Sequence, residues 1–343
     1  MMTHKERFVA TIERKRVDRP ACWLGLPAPE ALDGLKAYFG AADIEELKRR
    51  IDDDIFPVDV PYHCPPANHI ACAFDFSKKN DGIYEERTLT SPGFFEDYTD
   101  PARVDDFKWP DPARHMSAAE CLKAIDRAPA DCAVLGMMWS AHFQDVCAAF
   151  GMETAMVKML TDPEMVSAVA DRIVRFYLAA NRMFYEAGRG KLDAVLIGND
   201  LGSQNGLMLS PELIRKFVWP GTKKLVAQAK SYGLKVIHHS CGAVDAIIPD
   251  LIELGVDAIH PIQALAQGME PEGLKKRFGG KMSFCGGVDV QQLLVKGPPE
   301  MVRDKVEYLK KIFPTGLIIS PSHEAILPDV DPRNIAALFN AVK

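Results

Sequence analysis

Short apolar runs ending in Gly, Asp, Ser or His alternate along the chain with longer segments of helical spacing, the βα rhythm of a parallel sheet. Eight runs fit: 21–24, 55–60, 133–137, 194–197, 234–238, 258–261, 282–285 and 317–320. Ser210-Pro211-Glu212 supplies a cap and a first-turn proline for a helix over 213–232 that stops at Gly233. Asp162-Pro163-Glu164 opens another in the same way over 165–187, stopping at Gly188. These features predict an α/β fold, a (β/α)8 TIM barrel built as one domain over 1–343. The stretch 69–100 departs from the rhythm, because 71–76 and 82–90 flank the polar segment 77–81. That pattern predicts a hairpin insertion over one barrel end. No repeat of 20–50 residues recurs, which excludes solenoids and propellers.

Composition narrows the function classes. With 343 residues, 48% of them hydrophobic and 26% charged, the chain can bury a sizeable core. Its net charge of −6 and the lack of a dense basic run argue against nucleic acid as a partner. The first 19 residues hold no apolar leader, and no uncharged apolar stretch of about 18 residues follows, so a cytoplasmic protein without a membrane partner is expected. The eight cysteines form no CxxC pair and no dense framework, as befits reduced thiols.

In a TIM barrel the chemistry is assembled at the C-terminal ends of the strands. Asn199 and Asp200 follow the fourth run, with Gln204 a little further on; His238 to Cys241 follow the fifth. Cys285 and Asp289 close the seventh, and Ser322, His323 and Glu324 the eighth. Trp139, beside Met137 and Met138, ends the third and would line an apolar pocket. Asp200 and His323 are the expected catalytic groups; Asn199, Gln204, Trp139 and Asp289 are the expected substrate contacts. A carboxylate in such a place also caps a following helix, which is the plainer role for Asp200 and Asp289.

His239-Ser240-Cys241 is the most suggestive element. Alternate residues of an extended segment point the same way, so the imidazole and the thiol share a face. Zinc accepts both donor types, and a catalytic zinc takes three protein ligands with one position open. The third ligand would come from another strand end, with Cys285 and His323 both in place to supply it.

At these residues the chain resembles the uroporphyrinogen decarboxylase superfamily, in its branch of cobamide-dependent methyltransferases. The resemblance runs nearly end to end. It rests on Lys5-Glu6-Arg7-Phe8 with Val17-Asp18-Arg19-Pro20, Leu209-Ser210-Pro211, His239-Ser240-Cys241-Gly242, Gly286-Gly287-Val288-Asp289, and Ser322-His323 followed by Leu327-Pro328-Asp329. It implies a zinc-assisted enzyme that moves a methyl group between a corrinoid, carried as methylcobalamin on a transiently docked corrinoid protein, and a small thiol or methylated substrate. It also admits a homodimer. The methyltransferases carry a cysteine in the last motif where this chain has His323, so the third ligand departs from the pattern. The decarboxylase proper carries an arginine-rich N-terminal motif that clamps its substrate's carboxylates. Here the corresponding stretch, Ala21-Cys22-Trp23-Leu24-Gly25-Leu26-Pro27, has no arginine, which disfavours the alternative of a metal-free lyase acting on a carboxylic acid.

Overall fold

Seven of the eight apolar runs form the strands of one parallel sheet. The computed structural model describes residues 2–64, 68–77 and 88–343. In chain order the strands are β1 (Leu26–Pro27), β2 (Ile55–Asp59), β3 (Ala133–Trp139), β4 (Ala194–Gly198), β5 (Lys235–His239), β6 (Ala258–Ile262), β7 (Ser283–Val288), β8 (Leu317–Pro321) and β9 (Ala325–Ile326). β2 to β8 pair in sequence order, all parallel, with helices in the connections, while β1 and β9 form a separate two-stranded pair. The result is a curled parallel sheet of the TIM-barrel kind.

The first predicted strand departs from expectation. Residues 21–24 form a single parallel bridge, Cys22 to Ile319, rather than a ladder. They nevertheless lie between β8 and β2: Trp23 N–H donates to Ile319 O at 3.1 Å, and Asp54 N–H donates to Cys22 O at 3.2 Å. Side chains explain why so short a contact holds. Asp54, just ahead of β2, accepts from Arg7 (2.6 Å), Arg19 (2.7 Å) and the Cys22 N–H (2.8 Å). Thus the N-terminal Arg7 and Asp18-Arg19 motifs tie the seam of the sheet at the end opposite the strand C-termini.

Along each strand alternate side chains point to opposite sides of the sheet. One set, including Ile55, Leu135, Leu196, Ile237, Cys285 and Ile318, forms an interior cluster joined by Phe8 and Ile12 of the helix His4–Ile12. The other set, including Val134, Val195, Val236 and Phe284, packs in the larger cluster shared with the surrounding helices.

Three helix and loop expectations change. The 213–232 helix is two helices, Pro211–Phe217 and Trp219–Ser231, because Pro220 lacks the N–H that would continue the first. The second long helix begins at Pro163, but Asp162 does not cap it; its carboxylate accepts from the Thr161 hydroxyl at 2.7 Å instead. Of the expected hairpin, the limb 71–76 is not a strand: Ile70–Cys72 is a 3-10 turn and 73–77 is irregular. Most of its other limb and turn, 78–87, lies outside the described residues. Among the described residues no helix is long and apolar enough to cross a membrane, and all eight cysteines are free thiols.

Candidate metal centre at the strand ends

β5 delivers His239 at its last position, and the chain stays extended long enough to bring Cys241 Sγ to 3.4 Å from His239 Nε2. Asp200, two residues beyond β4, places Oδ1 3.2 Å from the same nitrogen. That oxygen also accepts the Cys241 N–H at 3.0 Å, which fixes the loop after β5 against the loop after β4. Gly198 permits this approach: a Cβ there would stand 2.1 Å from the His239 carbonyl oxygen. One potential ligand atom from each of Asp200, His239 and Cys241 therefore lies within 4.8 Å of the others.

His239 has a second side. Its Nδ1 lies 2.9 Å from His260 Nδ1, on β6, and 3.6 Å from Glu324 Oε2. Two unprotonated nitrogens repel at that distance, so one of the two Nδ1 atoms carries a proton. Glu324 Oε2 and His260 Nε2 are buried and have no hydrogen-bond partner among the described residues, leaving polar capacity beside the site. On the open side stands Trp139, whose ring is edge-on to His239 with centroids 5.7 Å apart. Trp139 and the next residue, Ser140, both adopt left-handed backbone, φ 52° and 51°, a strained geometry of the kind found at functional sites.

His323 joins from the segment after β8. Its Nδ1 accepts the Ala325 N–H at 3.0 Å, which in the neutral ring puts the proton on Nε2, and its ring centroid is 6.3 Å from that of His239. The cluster shifts the ionisation of its members together. Burial opposes the Cys241 thiolate, but hydrogen bonds with His239 and His323 outweigh it and hold the thiol below its ordinary range. Burial likewise disfavours charge on His239 and Asp200, yet their mutual hydrogen bond raises the imidazole and lowers the carboxyl. The hydrogen bond to Cys241 raises His323.

The remaining sequence candidates lie apart from this cluster. Cys285 sits fully buried in the barrel interior, where burial pushes its thiol far up. Asn199 is buried; its Oδ1 accepts the Phe143 N–H at 2.8 Å, so it braces the loop after β3. Asp289 accepts from the N–H groups of Gln291, Gln292 and Leu293 and caps the helix Leu293–Lys296. Gln204 is exposed on the loop after β4, its carbonyl accepting the Gln267 N–H at 3.0 Å. His238 points to the outer layer, its ring 6.1 Å from that of Trp219. Sequence reasoning missed His260, which is hidden inside an apolar run. An imidazole at 260 followed by Pro261 was the available signal.

Beside His323 lies a cavity of about 390 Å3, bounded by the segments after β6, β7 and β8. Cavity and cluster share one end of the sheet, the C-terminal end of its strands, where barrel enzymes carry their chemistry.

Comparison with known proteins agrees with this architecture. A methylated-thiol–coenzyme M methyltransferase of Methanosarcina mazei is 26% identical over 248 residues, 70% of this chain and 59% of the relative. The methylcobamide:CoM methyltransferase MtaA of Methanosarcina barkeri is 25% identical over 162 residues, 47% of this chain and 43% of the relative. The chain thus spans about half the length of these curated relatives. A solved methyltransferase structure from Methanosarcina mazei superposes with a TM-score of 0.69 over 100% of this chain and 98% of its own, at 17% identity, which speaks to the fold. The family model of uroporphyrinogen decarboxylase (URO-D) matches residues 83–343, and the chain belongs to that family.

Proposed function

We propose that the protein is a corrinoid-dependent methyltransferase that moves a methyl group between a corrinoid and a small thiol or methylated substrate, with zinc held at the strand ends. The observation that carries this reading is the convergence of Asp200, His239 and Cys241 within 4.8 Å beside a cavity. The donor types fit the ion: imidazole nitrogen and a thiol biased toward thiolate are ligands that zinc takes, and the Asp200 carboxylate stands beside them. His239 Nε2 and Cys241 Sγ would hold it, with Asp200 beside them and His323 as the third ligand in preference to the interior Cys285, once the His323 ring proton passes from Nε2 to Nδ1, 3.5 Å from Glu324 Oε2. Zinc there supplies Lewis acidity, which favours ionisation of a bound thiol near neutral pH or polarises a leaving heteroatom.

The chain's own groups do the rest. A proton on His239 Nδ1, shared with His260 Nδ1 and facing Glu324, leaves Nε2 as the ligating lone pair. Asp200 keeps Cys241 in place through its backbone N–H. Trp139 covers one side of His239. In the direction toward a thiol, the sulfur–carbon bond forms as the cobalt–carbon bond breaks. Its electron pair stays on cobalt, and the thiol proton leaves to solvent. A corrinoid delivered on a separate protein would dock transiently on this rim.

The decarboxylase-like alternative is disfavoured by one observation. Arg7 and Arg19 are bound to Asp54 at the far end of the sheet, and 21–24 is buried wall, so neither of these arginines faces the cavity. The test is metal-to-protein stoichiometry in wild type, His239→Ala and Cys241→Ser, followed by methylcobalamin demethylation with a panel of thiols. About one zinc per chain, lost in both variants, with demethylation only in the loaded wild type, is the expected result. A protein that takes up no zinc on reconstitution would overturn it.

A further inference from the structure

We infer that the cavity beside His323 takes an uncharged, largely apolar methyl donor or acceptor and discriminates against anionic thiols. The inference rests on the methyltransferase reading and adds the substrate class. At about 390 Å3 the cavity lies in the lower part of the range for small-ligand sites, roughly 300–1,000 Å3. Val290, Ala325 and Leu327 give it an apolar wall.

Its charges decide the ligand. Among the described residues that line it there is no lysine or arginine, and the one carboxylate is Asp329. His323, the cavity's titratable nitrogen group, already faces Cys241 and has Glu324 Oε2 3.5 Å from its Nδ1. Asp200 adds further negative charge at the neighbouring His239. A sulfonate or carboxylate entering this space would lose water and meet the Asp329 carboxylate, with no guanidinium or ammonium partner among the described lining residues. An uncharged molecule pays no such penalty.

Polar groups of the lining, Gln263 with Gln291 and Ser322, can orient it. Gln263 Oε1 accepts the Gly242 N–H at 2.7 Å, which fixes the amide and leaves its NH2 to donate. The fitting ligand is therefore an apolar body with one acceptor atom, such as an ether or thioether, and its demethylated partner is the corresponding phenol or thiol.

The test is calorimetric binding to the zinc-loaded protein of three methyl thioethers: benzyl methyl sulfide, 2-(methylthio)ethanesulfonate and 2-(methylthio)ethylamine. The neutral compound should bind at least tenfold more tightly than either charged one. Equal or tighter binding of the anion or the cation, or no binding of the neutral compound, overturns the inference. Leu327 is 53% exposed at the cavity rim, so Leu327→Lys should fold normally and retain zinc. This variant should raise affinity for the sulfonate about tenfold; an unchanged affinity would mean that the ligand lies elsewhere. Methylcobalamin assays with benzyl mercaptan and 2-mercaptoethanesulfonate separate the two levels of argument. Transfer that favours the sulfonate overturns the substrate class alone. Binding of the neutral thioether without transfer to either thiol overturns the methyltransferase reading and leaves the cavity's preference standing.

Discussion

His239 and His260 meet Nδ1 to Nδ1 at 2.9 Å, and a proton held by His239 at that contact leaves Nε2, the nitrogen facing Cys241, with its lone pair. His260 is fully buried, and burial together with the charge of His239 holds it well below its ordinary range, so it acts as the neutral partner. Replacing it with an apolar ring of similar size should loosen the site without emptying it. His260→Phe is expected to weaken zinc binding by about 10–100-fold, the usual effect of removing a group that orients a metal-bound histidine. Competition with a chromophoric chelator measures this; unchanged affinity would show that His260 does not set the tautomer.

The two candidates for the third ligand separate cleanly. Cys285→Ala should keep full zinc stoichiometry and lower stability by about 1 kcal/mol, as small interior truncations do. His323→Ala, at a part-exposed position, should lose zinc affinity with little change in the denaturation midpoint. The reverse pattern would assign the ligand to Cys285.

Asp54 is fully buried and bridges Arg7 and Arg19 across the seam of the sheet. Removing it leaves two guanidinium groups without their buried partner. Asp54→Ala is expected to cost about 3–5 kcal/mol by urea unfolding, the range for breaking a buried ion pair. A loss below about 1 kcal/mol would mean that the seam does not depend on this network.

Asp145 offers a test by pH. Burial pushes its carboxyl up to about 7 from an ordinary 3.8, against a Tyr177 hydroxyl that donates at 2.7 Å. The folded state then holds the proton more tightly than the unfolded state, so Asp145 lowers stability progressively as pH rises from about 4 to about 7. Asn cannot ionise and still accepts from Tyr177. Asp145→Asn should therefore gain on wild type between pH 5 and pH 8 in urea midpoint, and a constant difference would refute the shift.

Much of this molecule is readable from local pattern. Seven strand positions follow from continuous apolar runs, because a strand covered on both faces needs no polar residue until it ends. His239 and Cys241 were legible for a related reason: two residues of extended chain set their common direction without help from the rest of the fold. Pairing decided what the pattern left open. Residues 21–24 look like any other strand, yet β8 and Asp54 reduce them to a bridge, since their hold comes from Arg7 and Arg19 as much as from a ladder. Cys285 and His323 follow neighbouring strands and were equivalent in sequence. The strand alternation turns Cys285 into the barrel, whereas His323 comes after β8 has ended and reaches Cys241. His260 was invisible because an imidazole within an apolar run declares its role only when β5 and β6 bring 239 and 260 side by side. Direction along one strand is local and was fixed by the sequence itself; neighbours across strands are set by register, and that only the tertiary structure decided.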